Sequence, residues 1–189
     1  VRVAAADSDS STAEDQKVIT AEKVLVVFGR VPNTQSLGLE AIGVEVDERG
    51  FVNVSTNNRT NISGVYAIGD ITTTPALAHV ASKEGVLAVE HMVGKSHDET
   101  IDLQAIPSAI YTQPQIAGFG LREDEAKSEH IEYKKSVFPI RACGKAVAVG
   151  KTEGHVKILA HPQTNEILGA HIVGYDATEI IHELLLIRH

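Results

Sequence analysis

The residues with the clearest chemical potential lie where a strand meets a helix. Gly64-Val-Tyr-Ala-Ile-Gly-Asp70 reads as an apolar strand ending in glycine and aspartate, and a helix is expected over roughly Ala76 to Val93, closed by Gly94. A carboxylate at the carboxyl end of a buried strand sits where open α/β sheets bind ligands, and it can accept hydrogen bonds from sugar-like hydroxyls. Gly69 lets a ligand approach the backbone closely. The first turn of the helix, around Ala76, Leu77, Ala78 and His79, would aim free N–H groups at the same crevice and favour an anion or a partly negative ring oxygen. On these residues alone, a plain turn-initiating role explains Asp70 at least as well.

The other candidate groups have simpler explanations. Cys143 is the one cysteine of the chain, so no intrachain disulfide can form, and it reads as a small buried or half-buried thiol. His182-Glu183 would need a histidine at position 186 to make a zinc helix, and Leu186 stands there. The remaining histidines are scattered without ligand spacing, so no metal site is assigned. Asn53-Val-Ser55 and Asn61-Ile-Ser63 fit the glycosylation sequon, but the chain shows no signal peptide and the matches read as chance. No Gly-x-Gly-x-x-Gly occurs, so a phosphate-cradling dinucleotide turn of that kind is absent.

The elements that must position these groups can be read in outline. Residues 5 to 17 are polar, acidic and serine-rich and suit a loop or hairpin tip. Val24 to Phe28 is a continuous apolar run with the pattern of a short strand buried on both faces. Ser36 to Gly43 reads as a two-turn helix with Ser36 near its N-cap and Gly43 as C-cap, and Val44 to Val46 pairs with Phe51 to Val54 as a hairpin. A polar connection, Lys95 to Asp102, divides the chain. Beyond it, strands are expected at Ala105 to Tyr111, Ile131 to Ile140 and Ala146 to Gly150, with an acidic helix at Arg122 to Glu129. His155 to Ala160 and Glu166 to Val173 flank the turn-rich His161-Pro-Gln-Thr-Asn165 and form an antiparallel hairpin. Asp176-Ala-Thr-Glu179 has capping-box spacing and opens a terminal helix with apolar residues at 180, 181, 184, 185 and 187. Strands in series with helices beside them suggest an α+β layer in this second half.

Bulk properties narrow the function classes. The chain has 189 residues, 43% of them hydrophobic, enough for one domain or two small ones with ordinary cores. With 17 basic and 25 acidic residues the net charge is −8, which argues against nucleic acid or an anionic membrane surface as partner. No apolar run approaches the roughly 20 residues of a membrane-spanning helix. Low cysteine usage suggests a reducing compartment, and a cytoplasmic protein is expected. The chain opens on Val1 and closes inside a helical pattern, so it is expected to be a piece of something longer.

Taken together, several segments resemble a known family. Gly64-Val-Tyr-Ala-Ile-Gly-Asp70 followed by Ala76-Leu-Ala-His-Val-Ala-Ser-Lys-Glu-Gly85 is similar to the second flavin-binding signature of the pyridine nucleotide-disulfide oxidoreductases. Phe28-Gly-Arg-Val-Pro-Asn33 resembles the segment leaving their nicotinamide-binding domain, and Ile106-Pro-Ser-Ala-Ile-Tyr-Thr-Gln-Pro114 the entry to their dimerisation domain. The match runs from about residue 18 to 189 in the family's order. Leu77-Ala78-His79, Glu84-Gly85 and Gly174 to Glu183 look most like the branch that reoxidises dihydrolipoamide, although Ala76 departs from the methionine or leucine often found there.

The resemblance implies a fold that is α/β and then α+β. Residues 1–31 would be the end of a Rossmann-like NAD-binding domain, 32–103 a central FAD-contacting segment and 104–189 a dimerisation domain truncated at its C-terminus. It implies FAD and NAD as cofactors, with Asp70 on the ribityl chain, Ala76, Leu77, Ala78 and His79 facing the flavin ring through their backbone, and Gly29 against the nicotinamide cofactor. Arg30 would assist. A homodimer and components of a 2-oxo acid dehydrogenase complex are the implied partners. The family's cysteine pair is not here, and its catalytic His-Pro pair would lie beyond the terminal helix. His161-Pro162 only imitates that pair, so no catalytic residue is expected in this chain. The alternatives are another member of the family, such as glutathione or mercuric reductase, and a stand-alone dimerisation or binding module without redox chemistry.

Overall fold

The computed structural model describes residues 2–3, 17–95 and 100–188. The expected hairpin tip at 5 to 17 falls almost wholly outside these residues, as does part of the polar connection after Lys95. Two short strands, β1 (Arg2–Val3) and β2 (Lys17–Val18), pair antiparallel.

The apolar run Val24 to Phe28 forms no strand. Leu25 is 84% and Phe28 97% exposed, where the sequence pattern called for burial on both faces. A strand of this kind needs a neighbour on each edge and a layer on each face, and the described residues provide neither.

From Pro32 onward the chain builds a small core around Val44, Val52 and Ala67, packed by Leu39, Val46, Val54, Ile62, Val65 and Ile71. The expected helix at Ser36 to Gly43 is shorter than the pattern suggested: only Glu40–Ile42 are helical, as a 3-10 turn, and Ser36 has φ 67 rather than an N-cap's extended backbone. Gly43 does close that turn with a left-handed φ of 77, its N–H donating to the Glu40 carbonyl. The hairpin is reduced to a bridge between Val46 and Val52. Asp47 holds its turn: its Oδ1 accepts from the N–H groups of Phe51 and Arg49, and these bonds, that of Phe51 foremost, keep its carboxyl below the usual range. Helix α1 (Ala78–Met92) follows, burying Val80, Glu84, Leu87 and Ala88.

The second half is a five-stranded antiparallel sheet in the order β3-β4-β7-β6-β5, formed by β3 (Ser108–Ile110), β4 (Gln115–Gly120), β5 (Lys134–Pro139), β6 (His155–Ala160) and β7 (Ile167–Gly174). Its helices are α2 (Glu123–Ser128), α3 (Gly144–Ala148) and α4 (Ala177–Arg188). Alternation along β4 and β7 sends Ala117, Phe119, Ala170 and Ile172 to one face, where Ala177 and Ile181 of α4 cover them.

Two strand readings fail in this half. Ala146 to Gly150, expected as a strand, lies largely in α3, whose short apolar run carries no period long enough to separate the two states. The β4 strand was not anticipated, because Gln115-Ile-Ala-Gly-Phe-Gly120 holds two glycines that dilute its alternation. Those glycines are needed for close approach: a Cβ on Gly118 would meet the His171 ring at 2.7 Å. The terminal helix begins where expected, but its capping differs. Asp176 has φ 57, and the N–H and hydroxyl of Thr178 donate instead to Oε1 of Gln115, reaching from β4.

Candidate functional site

The strand expected over 64–70 is reduced to a single bridge between Tyr66 and Arg59, because no further strand pairs with it among the described residues, and Asp70 sits in the 3-10 turn Gly69–Ile71 that follows. The turn is closely held. The Gly69 carbonyl accepts from the Thr72 N–H at 2.9 Å and from the Thr72 hydroxyl at 2.9 Å, and Thr72 is buried. The Gly69 N–H donates to Oε2 of Glu84 at 2.7 Å. Gly69 has φ 70, a conformation that favours glycine, and a Cβ there would crowd the Cβ of Ala81 at 3.3 Å. With its neighbours fixed, the Asp70 side chain projects to the surface.

The N-terminus of α1 opens beside this turn. Leu77 is its N-cap, and no side chain caps it. The first intrahelical bond runs from the Ala81 N–H to the Leu77 carbonyl, leaving the N–H groups of Ala78, His79 and Val80 without an intrahelical acceptor. The Leu77 N–H is taken by the Pro75 carbonyl at 2.8 Å, so among the residues expected to offer backbone donors Leu77 does not. Ala78 and His79 are exposed. His79 anchors α1 to the second half through Nε2 and the Pro107 carbonyl, 2.9 Å apart.

Arg30 links the two features. One guanidinium nitrogen donates to Asp70 Oδ2 at 2.6 Å and the other to the Ala76 carbonyl at 2.9 Å. The structure therefore brings the segment following Gly29 onto Asp70 and the approach to α1, and five of the six expected site positions, Asp70 with Ala76 to His79, lie in one region. Gly29 itself is exposed, with φ 108 and open space where a Cβ would stand.

An exposed carboxylate beside uncapped helix N–H groups suits a ligand carrying hydroxyls next to a ring with a partly negative edge, and FAD fits that donor and acceptor set. Sequence reasoning missed Thr72 and the role of Glu84. A signal for the second was present, since Val80, Glu84, Leu87 and Ala88 share one helical stripe and a glutamate on an apolar stripe is anomalous. His161, by contrast, serves its turn: its Nδ1 accepts from the Thr164 N–H at 3.2 Å. Among the described residues, no group of three or more His, Cys, Asp or Glu side chains could hold a metal ion.

Comparison with known proteins gives the class. Residues 1–85 match the model described as pyridine nucleotide-disulphide oxidoreductase, and residues 106–189 that of the dimerisation domain of the same enzymes. The chain belongs to the pyridine nucleotide-disulphide oxidoreductase family. Within it, 178 residues are 44% identical to the mitochondrial dihydrolipoyl dehydrogenase of Sus scrofa, covering 94% of this chain and 35% of that protein. The dihydrolipoyl dehydrogenase of Thermus scotoductus is 43% identical, again over 94% of this chain, with 38% of its own length covered. The chain thus spans little more than a third of these relatives. Among solved structures, LpdA of Mycobacterium tuberculosis superposes with a TM-score of 0.78 at 29% identity, over 84% of this chain and 34% of that one. The HOCl-induced flavoprotein disulfide reductase RclA of Escherichia coli superposes at 0.79 over 86% of this chain and 37% of that one, and at 24% identity shares the fold.

Proposed function

We propose that this chain supplies the central flavin-contacting segment and the dimerisation domain of a dihydrolipoyl dehydrogenase, the enzyme that oxidises dihydrolipoamide to its cyclic disulfide while NAD takes up a hydride and a proton is released. The observation that carries the reading is Asp70, held at the surface beside the uncapped N-terminus of α1. When bound, FAD supplies the relay of electrons between a cysteine pair and NAD.

The residues of this chain hold and orient. Asp70 accepts hydrogen bonds from the ribityl hydroxyls. The N–H groups at the start of α1 face the ring, with Ala76, Leu77, Ala78 and His79 forming that wall, and Gly29 leaves room for the nicotinamide cofactor. A helix N-terminus favours an anion by about 0.3–1 kcal/mol, and about 2 kcal/mol when partly buried. For a two-electron couple, about 1.4 kcal/mol corresponds to roughly 30 mV. The dipole therefore trims the flavin potential by tens of millivolts and does not set it.

The same reading makes the protein a homodimer and a component of a 2-oxo acid dehydrogenase complex. The match to a dimerisation domain supports the first, as do Leu186 and Ile187, exposed at 77% and 70% on α4. Among the described residues no helix is long and apolar enough to cross a membrane. We place the enzyme in a reducing compartment, the cytoplasm by its composition. A relative named as mitochondrial, that of Sus scrofa, supports that organelle as the alternative.

Electron transfer requires two thiols that can close into a disulfide, and Cys143 has no partner in the chain. The 189-residue chain with dihydrolipoamide, NAD and added FAD should form no NADH, whereas the full-length protein that carries it should. Turnover by the chain that survives Cys143→Ser would overturn the proposal, as would a full-length protein inactive with dihydrolipoamide.

A further inference from the structure

We propose that Glu84 is a positioning residue for the flavin contact: from within α1 it fixes the Gly69–Asp70 turn and so sets the distance between the Asp70 carboxylate and the N-terminus of the same helix. The inference rests on the reading that Asp70 and the start of α1 form one wall of the flavin site.

Glu84 is 1% exposed and lies on the apolar stripe of α1 with Val80, Leu87 and Ala88. Its Oε2 accepts the Gly69 N–H at 2.7 Å, while its Oε1 is buried without a hydrogen-bond partner. A carboxyl group in such a place is costly, and an orphaned oxygen adds to the cost. Leucine would suit the stripe and avoid both penalties, so packing does not explain the glutamate. Its one bond does.

That bond completes the accounting of the turn. Thr72 holds the Gly69 carbonyl and Glu84 its N–H, so both peptide units of Gly69 are clamped, and the Asp70 side chain that follows them is held only by its exposed pair with Arg30. Because Glu84 belongs to the helix that also offers the ring-facing N–H groups, one side chain ties both cofactor-facing features to a common frame. Arg30 reaches the same pair from outside, through an exposed ion pair that is easily screened. The internal tie is the durable one.

The test measures FAD affinity by quenching of flavin fluorescence on the apo form of the full-length protein. Wild type, Glu84→Gln, Glu84→Asp and Glu84→Leu are compared, each with Asp70 intact and with Asp70→Ala, alongside thermal melting and hydrogen exchange at the Gly69 amide. Glu84→Gln keeps an oxygen for the Gly69 N–H and should bind FAD within about threefold of wild type. Glu84→Leu should bind about tenfold more weakly, with faster Gly69 exchange. In the Asp70→Ala background it should cause no further loss, because the residue acts through Asp70. Should Glu84→Leu fail to fold, Glu84→Asp carries the test: one methylene shorter, it should still lose several-fold in affinity.

Wild-type affinity in Glu84→Leu or Glu84→Asp would overturn the inference, and so would a loss that persists undiminished without Asp70. If Asp70→Ala alone leaves FAD affinity unchanged, the proposed flavin site itself is wrong, and the inference falls with it.

Discussion

Replacing Asp70 by alanine separates the proposed ligand-binding role from a structural one, because the two carry very different magnitudes. In the free protein the carboxylate makes one ion pair, 2.6 Å to Arg30, with side chains 54% and 67% exposed. Exposed pairs of this kind contribute about 0–1 kcal/mol. The neighbouring turn does not depend on it, since Gly69 is held by Thr72 and Glu84. Stability should therefore fall by less than about 1 kcal/mol, a melting shift of at most roughly 2–4 °C for a chain of this size. Hydrogen bonds from ligand hydroxyls to a charged acceptor are worth about 1.5–3 kcal/mol. FAD affinity should accordingly drop by about ten- to a hundredfold. The assay is FAD titration of the full-length apoprotein beside thermal melting of the same variant. A large fall in melting temperature with unchanged FAD affinity would invert the expectation and refute the reasoning.

Other consequences concern the frame around the site. Gly154 has φ 102, and a Cβ built on it would collide with the Val173 carbonyl oxygen, so Gly154→Ala should cost at least about 1–3 kcal/mol, checked by the urea midpoint. Gln115→Ala removes the acceptor for the Thr178 N–H and hydroxyl at the start of α4 and should cost about 0.5–2 kcal/mol in the same assay. Glu123 takes bonds from Lys135 and Lys127, which lower its pKa from 4.5 to about 2. A depressed carboxylate stabilises above its unfolded value and stops doing so as pH falls from 4.5 towards 2, so the melting difference between wild type and Glu123→Gln should be present at pH 7 and vanish near pH 2. Burial lowers His171 from 6.5, so below that pH the unfolded chain takes up a proton the folded one resists; wild type should lose melting temperature relative to His171→Phe between neutral pH and pH 5.

What the sequence disclosed follows from where its signals are local. The α1 helix, the β6–β7 hairpin and the terminal helix rest on period, turn residues and sequence-near contacts, and each appears close to its expected bounds. Val24 to Phe28 failed because a buried strand is a property of its neighbours, and the described residues hold none for it. The start of α4 failed in detail because its cap comes from Gln115, a residue remote in sequence that no local spacing reveals. At the site, Gly69-Asp70 and the helix start were legible as a motif. The clamp that holds them was not, since the bonds from Thr72 and Glu84 arise only when α1 packs against the turn.

The most direct measurement is a crystal structure of the full-length protein with FAD. In it an Asp70 carboxylate oxygen should lie within about 3 Å of a ribityl hydroxyl, with the Ala78 and His79 N–H groups facing the flavin ring. A structure with FAD bound elsewhere and the Asp70 carboxylate engaged only by Arg30 would contradict it.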